Sequence, residues 1–202
     1  MEADIPDTLY PRPCTLSPTM KIALGITGGI AAYKAAELVR LLQDKGIDVQ
    51  VVMTEDASRF VGPATFAALS GQPVAQHVFD DRYPLGAHIE LSRGRQVLCV
   101  APATANFLAK AAHGLADDLL STLYLGFPQT VIVAPAMNVH MWEHAAVQRN
   151  ISQLRDDGVV IVEPEPGWLS CRDEGQGRMA EPDTLWQAIL QCLPTASQPT
   201  SD

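Results

Sequence analysis

The sequence predicts an α/β fold: a Rossmann-like (flavodoxin-like) three-layer sandwich with a mostly parallel sheet. Three observations predict it. Short apolar runs recur at 22–26, 49–53, 97–100, 131–133 and 159–162, rich in Val and Ile. They are too continuous for strands with one wet face and read as strands buried on both faces. Helical patterns lie between them, and alternating βα units imply a doubly wound sheet covered by helices. The chain has 202 residues, of which 47% are hydrophobic, enough for one well-buried core and too few for two full domains.

The elements follow in order. Residues 1–19 hold Pro6, Pro11, Pro13 and Pro18 without periodicity and read as a flexible or extended arm. The ordered domain is expected over 20–193. Its first helix is predicted over 30–43, with Leu38, Leu41 and Leu42 on one stripe and Glu37 and Arg40 off it. Gly46 then supplies a residue able to turn left-handed. Further helices fit 104–112, 143–156 and 184–192, and the polar segment 194–202 reads as a flexible tail.

Composition narrows the function. The formal net charge is -9 without a Lys/Arg cluster, which argues against nucleic acid as a partner. Cys14, Cys99, Cys171 and Cys192 form no C-x-x-C pair, which argues against a zinc site or a disulfide scaffold. No apolar run of about 18 residues suggests a membrane span. Glu2, Asp4 and Asp7 stand where a signal peptide would be basic and then apolar, so the expected location is cytoplasmic.

In sheets of this kind ligands sit beyond the carboxyl ends of the strands. Four loops fall there, beginning at Thr27, Thr54, Ala101 and Ala134. In the first, Gly28-Gly29-Ile30 allows a tight turn and an approach to an anion, or is a plain βα turn; the G-x-G-x-x-G fingerprint is absent. In the third, Thr104-Ala105-Asn106 either leaves room for a ligand or caps a helix. In the fourth, Ala136-Met137-Asn138 precedes Met141 and Trp142; the thioethers and the indole read as packing, and Asn138 as a ligand contact.

Two segments lie outside those loops. His88, in His88-Ile89-Glu90-Leu91, reads by itself as a hydrogen-bonded surface or core group. The stretch 167–182 is rich in glycine and charge and reads as a mobile flap or a solvated loop; packing does not explain Cys171 there. Cys99 and Cys192 read as packing, His77, His113, His140 and His144 as no metal set, and Asp117-Asp118 as a solvated helix face.

Taken in order, these motifs resemble one family, the homo-oligomeric flavin-containing cysteine decarboxylases. The resemblance covers about 20–193. Its most specific part is the P-A-M-N-x-x-M-W stretch, supported by a histidine before a strand and a C-x-x-x-G-x-G-x-M-A-E-P flap. The resemblance implies FMN as cofactor, contacted by Gly28, Gly29, Ile30, Thr54, Thr104, Ala105, Asn106 and Ala136. It implies His88 as base, Asn138 as the residue holding the substrate carboxylate and Cys171 as proton donor. It implies further substrate contacts at Met137, Trp168, Leu169, Ser170 and Gly175. Many relatives have Ala-Cys-Gly in the flap, where this chain has Ser170-Cys171-Arg172.

The implied substrate is 4'-phospho-N-pantothenoylcysteine, and the implied product is 4'-phosphopantetheine. Direct loss of CO2 from a cysteine carboxylate would leave an unstabilised carbanion, and no side chain supplies an electron sink, so a cofactor must. Oxidation of CH2–SH to a thioaldehyde places the carboxylate β to a C=S bond, whose sulfur accepts the electrons as CO2 leaves. No metal is required. The resemblance also implies a homo-oligomer, a trimer or a dodecamer of trimers, with the flavin site at a subunit interface. Rival readings are a peptidyl-cysteine decarboxylase of the same fold and a non-catalytic regulatory protein. A flavin prenyltransferase would lack the His, Asn and Cys set. In many bacteria the domain is fused to the synthetase that makes its substrate, so the chain is expected to be a separate enzyme or a piece of a longer one.

Overall fold

The computed structural model describes residues 20–170 and 172–193. The expected arm, the expected tail and Cys171 lie outside the described residues. The strands are β1 (Lys21–Ile26), β2 (Asp48–Met53), β3 (Val97–Ala103), β4 (Thr130–Pro135), β5 (Val160–Ile161), β6 (Glu165–Trp168) and β7 (Glu174–Arg178). The helices are α1 (Ala32–Asp44), α2 (Pro63–Ser70), α3 (Ala87–Ser92), α4 (Ala105–His113), α5 (Leu119–Leu125), α6 (Val139–Glu143), α7 (Ala145–Asp156) and α8 (Pro182–Cys192).

Five strands form one parallel sheet in the order β2-β1-β3-β4-β5. The chain reverses direction across the sheet between β1 and β3, where ligands bind in doubly wound folds. Alternation along each strand splits the core in two. Ile22, Leu24 and Ile26 join Leu38, Phe66 and Leu185 in one apolar cluster on the side of α1, α2 and α8. Ala23, Leu98 and Val100 join Phe107, Leu120 and Ile151 in a second cluster on the other side. Both faces are dry, which is why the runs show no polar alternation. The sandwich is as the sequence predicts.

The boundaries differ in instructive ways. α1 begins at Ala32 because Gly28 and Gly29 belong to the turn, where the Ala32 N–H donates to the Gly29 carbonyl at 3.0 Å. The helix expected over 143–156 is α7, which starts two residues later at Ala145, while Glu143 is the last residue of α6. His144, in extended conformation between them, accepts a hydrogen bond from the Ala146 N–H and caps α7. Asp117 and Asp118 do not form a solvated helix face: Asp118 is the N-cap of α5 in a capping box with Ser121, and both carboxylates pair with Lys110. The expected flap is in large part an antiparallel β6–β7 hairpin. Gly46 is left-handed, at φ 76°, as expected.

Candidate functional site

The loops after the first four strands are tied together by short polar contacts. Thr27, 2% exposed, donates through Oγ1 to the Pro102 carbonyl at 2.7 Å and accepts there from the Thr104 N–H at 3.0 Å. The Thr54 N–H donates to the Ile26 carbonyl, and the Ala136 N–H to the Ala103 carbonyl. The Met137 N–H reaches the Gly177 carbonyl at 3.0 Å, so the hairpin is tied to the loop after β4.

Two cavities result, and Gly28, Thr104, Ala105 and Met141 line both. The first, about 330 Å³, lies between the start of α1, the loop after β4 and the hairpin. Its wall takes Gly28, Gly29, Ile30, Thr104, Ala105, Ala136, Met137, Asn138, Trp168, Leu169 and Ser170. The second, about 410 Å³, adds Thr54 and Asn106 beside Glu55, Asp56 and Lys110. Nearly all the residues expected to touch flavin or substrate therefore converge on one continuous region.

Capping and lining coexist in the same side chains. Thr104 accepts from the Phe107 N–H and caps α4; Asn138 accepts through Oδ1 from the His140 N–H at 2.8 Å and caps α6. α1 has no side-chain cap on Ala31 and no acidic residue in its first turn, which leaves its positive end available to an anion. Gly28 is required by close approach: a Cβ there would stand 2.5 Å from Asp56 Cβ and 3.0 Å from the Asp56 backbone carbon.

Two expected site residues line neither cavity, and a third is outside the described residues. Gly175 lines neither cavity: it lies on β7 against Val139, whose Cγ2 would be 2.7 Å from an added Cβ. Cys171 is outside the described residues. His88 also lines neither cavity. It sits on α3, beside Gly86 and Gly126, and its Nδ1 is buried with no hydrogen-bond partner among the described residues. The Arg95 guanidinium donates to the Glu90 and Leu91 carbonyls and secures the end of that helix.

Sequence reasoning missed Lys34, Tyr33, Met141 and Arg178, all of which line the first cavity. Lys34 carried a readable signal: it falls four residues before Leu38 and eight before Leu42, on the buried stripe of α1. Its Nζ donates to the Met179 carbonyl at 3.0 Å and to Glu181 Oε1 at 2.7 Å. Arg178 donates to the same oxygen at 2.8 Å. Lys34 holds the Glu181 carboxyl below the usual carboxylate range through this hydrogen bond, and Arg178 adds to the effect. Met141 is not packing, being 47% exposed, whereas Trp142 is buried as expected. Cys99 is core, and burial pushes its thiol up to about 12. Cys192 is partly buried against the same core. Among the described residues no group of three or more His, Cys, Asp or Glu could hold a metal, and no helix is long and apolar enough to cross a membrane.

A doubly wound sheet with a ligand-sized cavity at its reversal point defines a class of nucleotide- and flavin-binding folds. Residues 12–193 match the family described as Flavoprotein, and the chain belongs to that family. It is 46% identical over 165 residues to the coenzyme A biosynthesis bifunctional protein CoaBC of Bacillus subtilis, covering 81% of this chain and 41% of that one. It is 46% identical over 166 residues to the CoaBC protein of Escherichia coli, covering 82% and 41%. The chain thus spans about two-fifths of the length of these relatives. A PPC decarboxylase variant, Cys replaced by Ser, complexed with pantothenoylaminoethenethiol superposes with a TM-score of 0.76 at 28% identity, over 86% of this chain and 97% of that one. The FMN-dependent cysteine decarboxylase SpaF superposes with a TM-score of 0.76 at 34% identity and the same coverage. The resemblance to flavin-containing cysteine decarboxylases is borne out.

Proposed function

We propose that this chain is a carboxy-lyase that uses FMN to remove CO2 from the cysteine end of 4'-phospho-N-pantothenoylcysteine, yielding 4'-phosphopantetheine. The observation that carries the reading is the convergence of strand-end loops and hairpin on one cavity. Its residues suit a flavin. Ile30, Ala105, Ala136 and Met137 offer apolar surface, the uncapped start of α1 suits a phosphate, and little stands beside Gly29, where an added Cβ would meet only Thr104 Cγ2 at 3.7 Å. Bound FMN supplies the electron sink that no side chain provides.

The chain's own residues do the rest. Asn138 holds the substrate carboxylate against the loop after β4. His88 accepts the proton of the substrate thiol, and Cys171 returns a proton to the product. Because His88 lines neither cavity of its own chain, we assign it to the site of an adjacent copy in a homo-oligomer, a trimer or a dodecamer of trimers. Ile30 and Tyr33, at the cavity mouth and more than half exposed, fit such an interface. The proposed location is cytoplasmic.

Purified protein should take up FMN, turn yellow and release CO2 from 4'-phosphopantothenoylcysteine. A colourless protein that ignores added FMN would sink the reading. SpaF, at 34% identity, is a cysteine decarboxylase without a pantothenoyl substrate in its name, which leaves room for a second reading in which the cysteine is the C-terminal residue of a peptide. Faster CO2 release from such a peptide than from the pantothenoyl substrate would favour it.

Gly28→Ala should weaken FMN binding about tenfold or more. The added methyl must displace Asp56 and with it the turn that Thr54 begins, and overpacking of this kind costs about 1–3 kcal/mol. Fluorescence titration with FMN checks it, and wild-type affinity would show that the turn yields freely.

A further inference from the structure

Building on the decarboxylase reading, we infer that Arg178, backed by Lys34, receives the phosphate group of the substrate and so sets its specificity. The first cavity has two charged residues among its lining, and both are cations, Lys34 and Arg178. They share one carboxylate, Glu181, so the group keeps one positive charge in excess, a local reversal of sign in a chain of net charge -9. No carboxylate lines this cavity among the described residues, whereas the second is lined by Glu55, Asp56 and Asp118 with one cation, Lys110, already paired with Asp118, and so disfavours a dianion.

The two cations have different tasks. Lys34 is 7% exposed, and its Nζ is committed to the Met179 carbonyl and to Glu181. It anchors Glu181 and contributes field. Arg178 ends β7, where its register partner is Glu165 on β6, and one of its terminal nitrogens donates to the anchored Glu181. A guanidinium has five N–H donors in a planar fork that matches phosphate, so donors remain after this contact. Arg178 reaches the cavity from the hairpin that also carries Trp168, and Asn138 reaches it from the start of α6. The cavity therefore offers separate seats for the two anionic ends of one substrate, an amide for the carboxylate and a guanidinium for the phosphate. The flavin's own phosphate has the uncapped start of α1.

The test compares 4'-phosphopantothenoylcysteine with pantothenoylcysteine on the FMN-loaded protein. In Arg178→Gln the ratio of kcat/KM for the two substrates should fall about 10- to 100-fold, the size expected for a charge-assisted contact. FMN affinity should stay at the wild-type value, and Arg178→Lys, which keeps the charge without the fork, should retain part of the ratio. An unchanged ratio overturns the inference. So does an equal fall for both substrates, which would place the carboxylate at Arg178, and so does a loss of FMN affinity at constant ratio, which would place the flavin phosphate there. CO2 release from neither substrate by the wild type would refute the decarboxylase reading instead. One measurement needs no variant: 4'-phosphopantetheine should inhibit the unmodified protein about tenfold or more better than pantetheine, and equal inhibition also overturns the inference.

Discussion

Asparagine in place of His88 should slow CO2 release by about 10²- to 10⁴-fold while FMN remains bound. Imidazole accepts a proton near neutral pH and a carboxamide does not. The helix that carries it is braced: α3 is secured by Arg95 on two of its carbonyls and by Glu90, whose Oε1 accepts the Leu85 N–H at 2.9 Å. Since His88 lines neither cavity of its own chain, the loss should be repairable in trans. His88→Asn subunits mixed and reassembled with Asn138→Asp subunits should recover roughly a quarter of the wild-type rate, because random assembly pairs an intact histidine with an intact amide at that fraction of shared sites. Each variant alone should be nearly inactive, the second because its new charge faces the substrate carboxylate. Full activity in His88→Asn would show that another group takes the proton. No recovery on mixing would mean that both residues serve the same chain's site.

Cys171→Ser should change what the enzyme makes. In the proposed reaction, oxidation of the substrate thiol and loss of CO2 rely on FMN, His88 and Asn138, and neither step uses the Cys171 thiol. The last step needs an acid, and a serine hydroxyl is a far weaker one than a thiol, whose ordinary pKa is about 8.5. The variant should still bind FMN and release CO2, yet yield the unsaturated enethiol in place of 4'-phosphopantetheine. Product mass after one anaerobic turnover reads the difference. Saturated product at near the wild-type rate would reduce Cys171 to an ordinary residue of the segment between β6 and β7.

Asn138 and Lys34 show how much of the site was legible. Asn138 could be found because it follows a buried strand, and strand ends are where this fold places ligands. Its position in the loop holds whether or not it also caps α6. Lys34 was overlooked although it breaks the apolar stripe of α1, because its partners are the Met179 carbonyl and Glu181, some 145 residues along the chain. Arg178 looked like one more charge in a glycine-rich stretch for the same reason. His88 was legible as a residue type and not as a location, since only the fold shows it to be apart from the cavity.

The sequence by itself determined the sandwich and the ends of the strands where the site forms. Burial on both faces of a sheet demands unbroken apolar runs such as Val97–Ala103, and that demand is local enough to read from the chain. Tertiary structure decided the rest. Short helices such as α3, with six residues, and the β6–β7 hairpin carry too little signal of their own and stand only because other elements complete them. The same holds for the cation pair at Glu181, where α1 and the end of β7 meet around one carboxylate. Contacts between residues far apart in sequence depend on how the layers pack, and the residues at either end of such a contact bear no mark of the other.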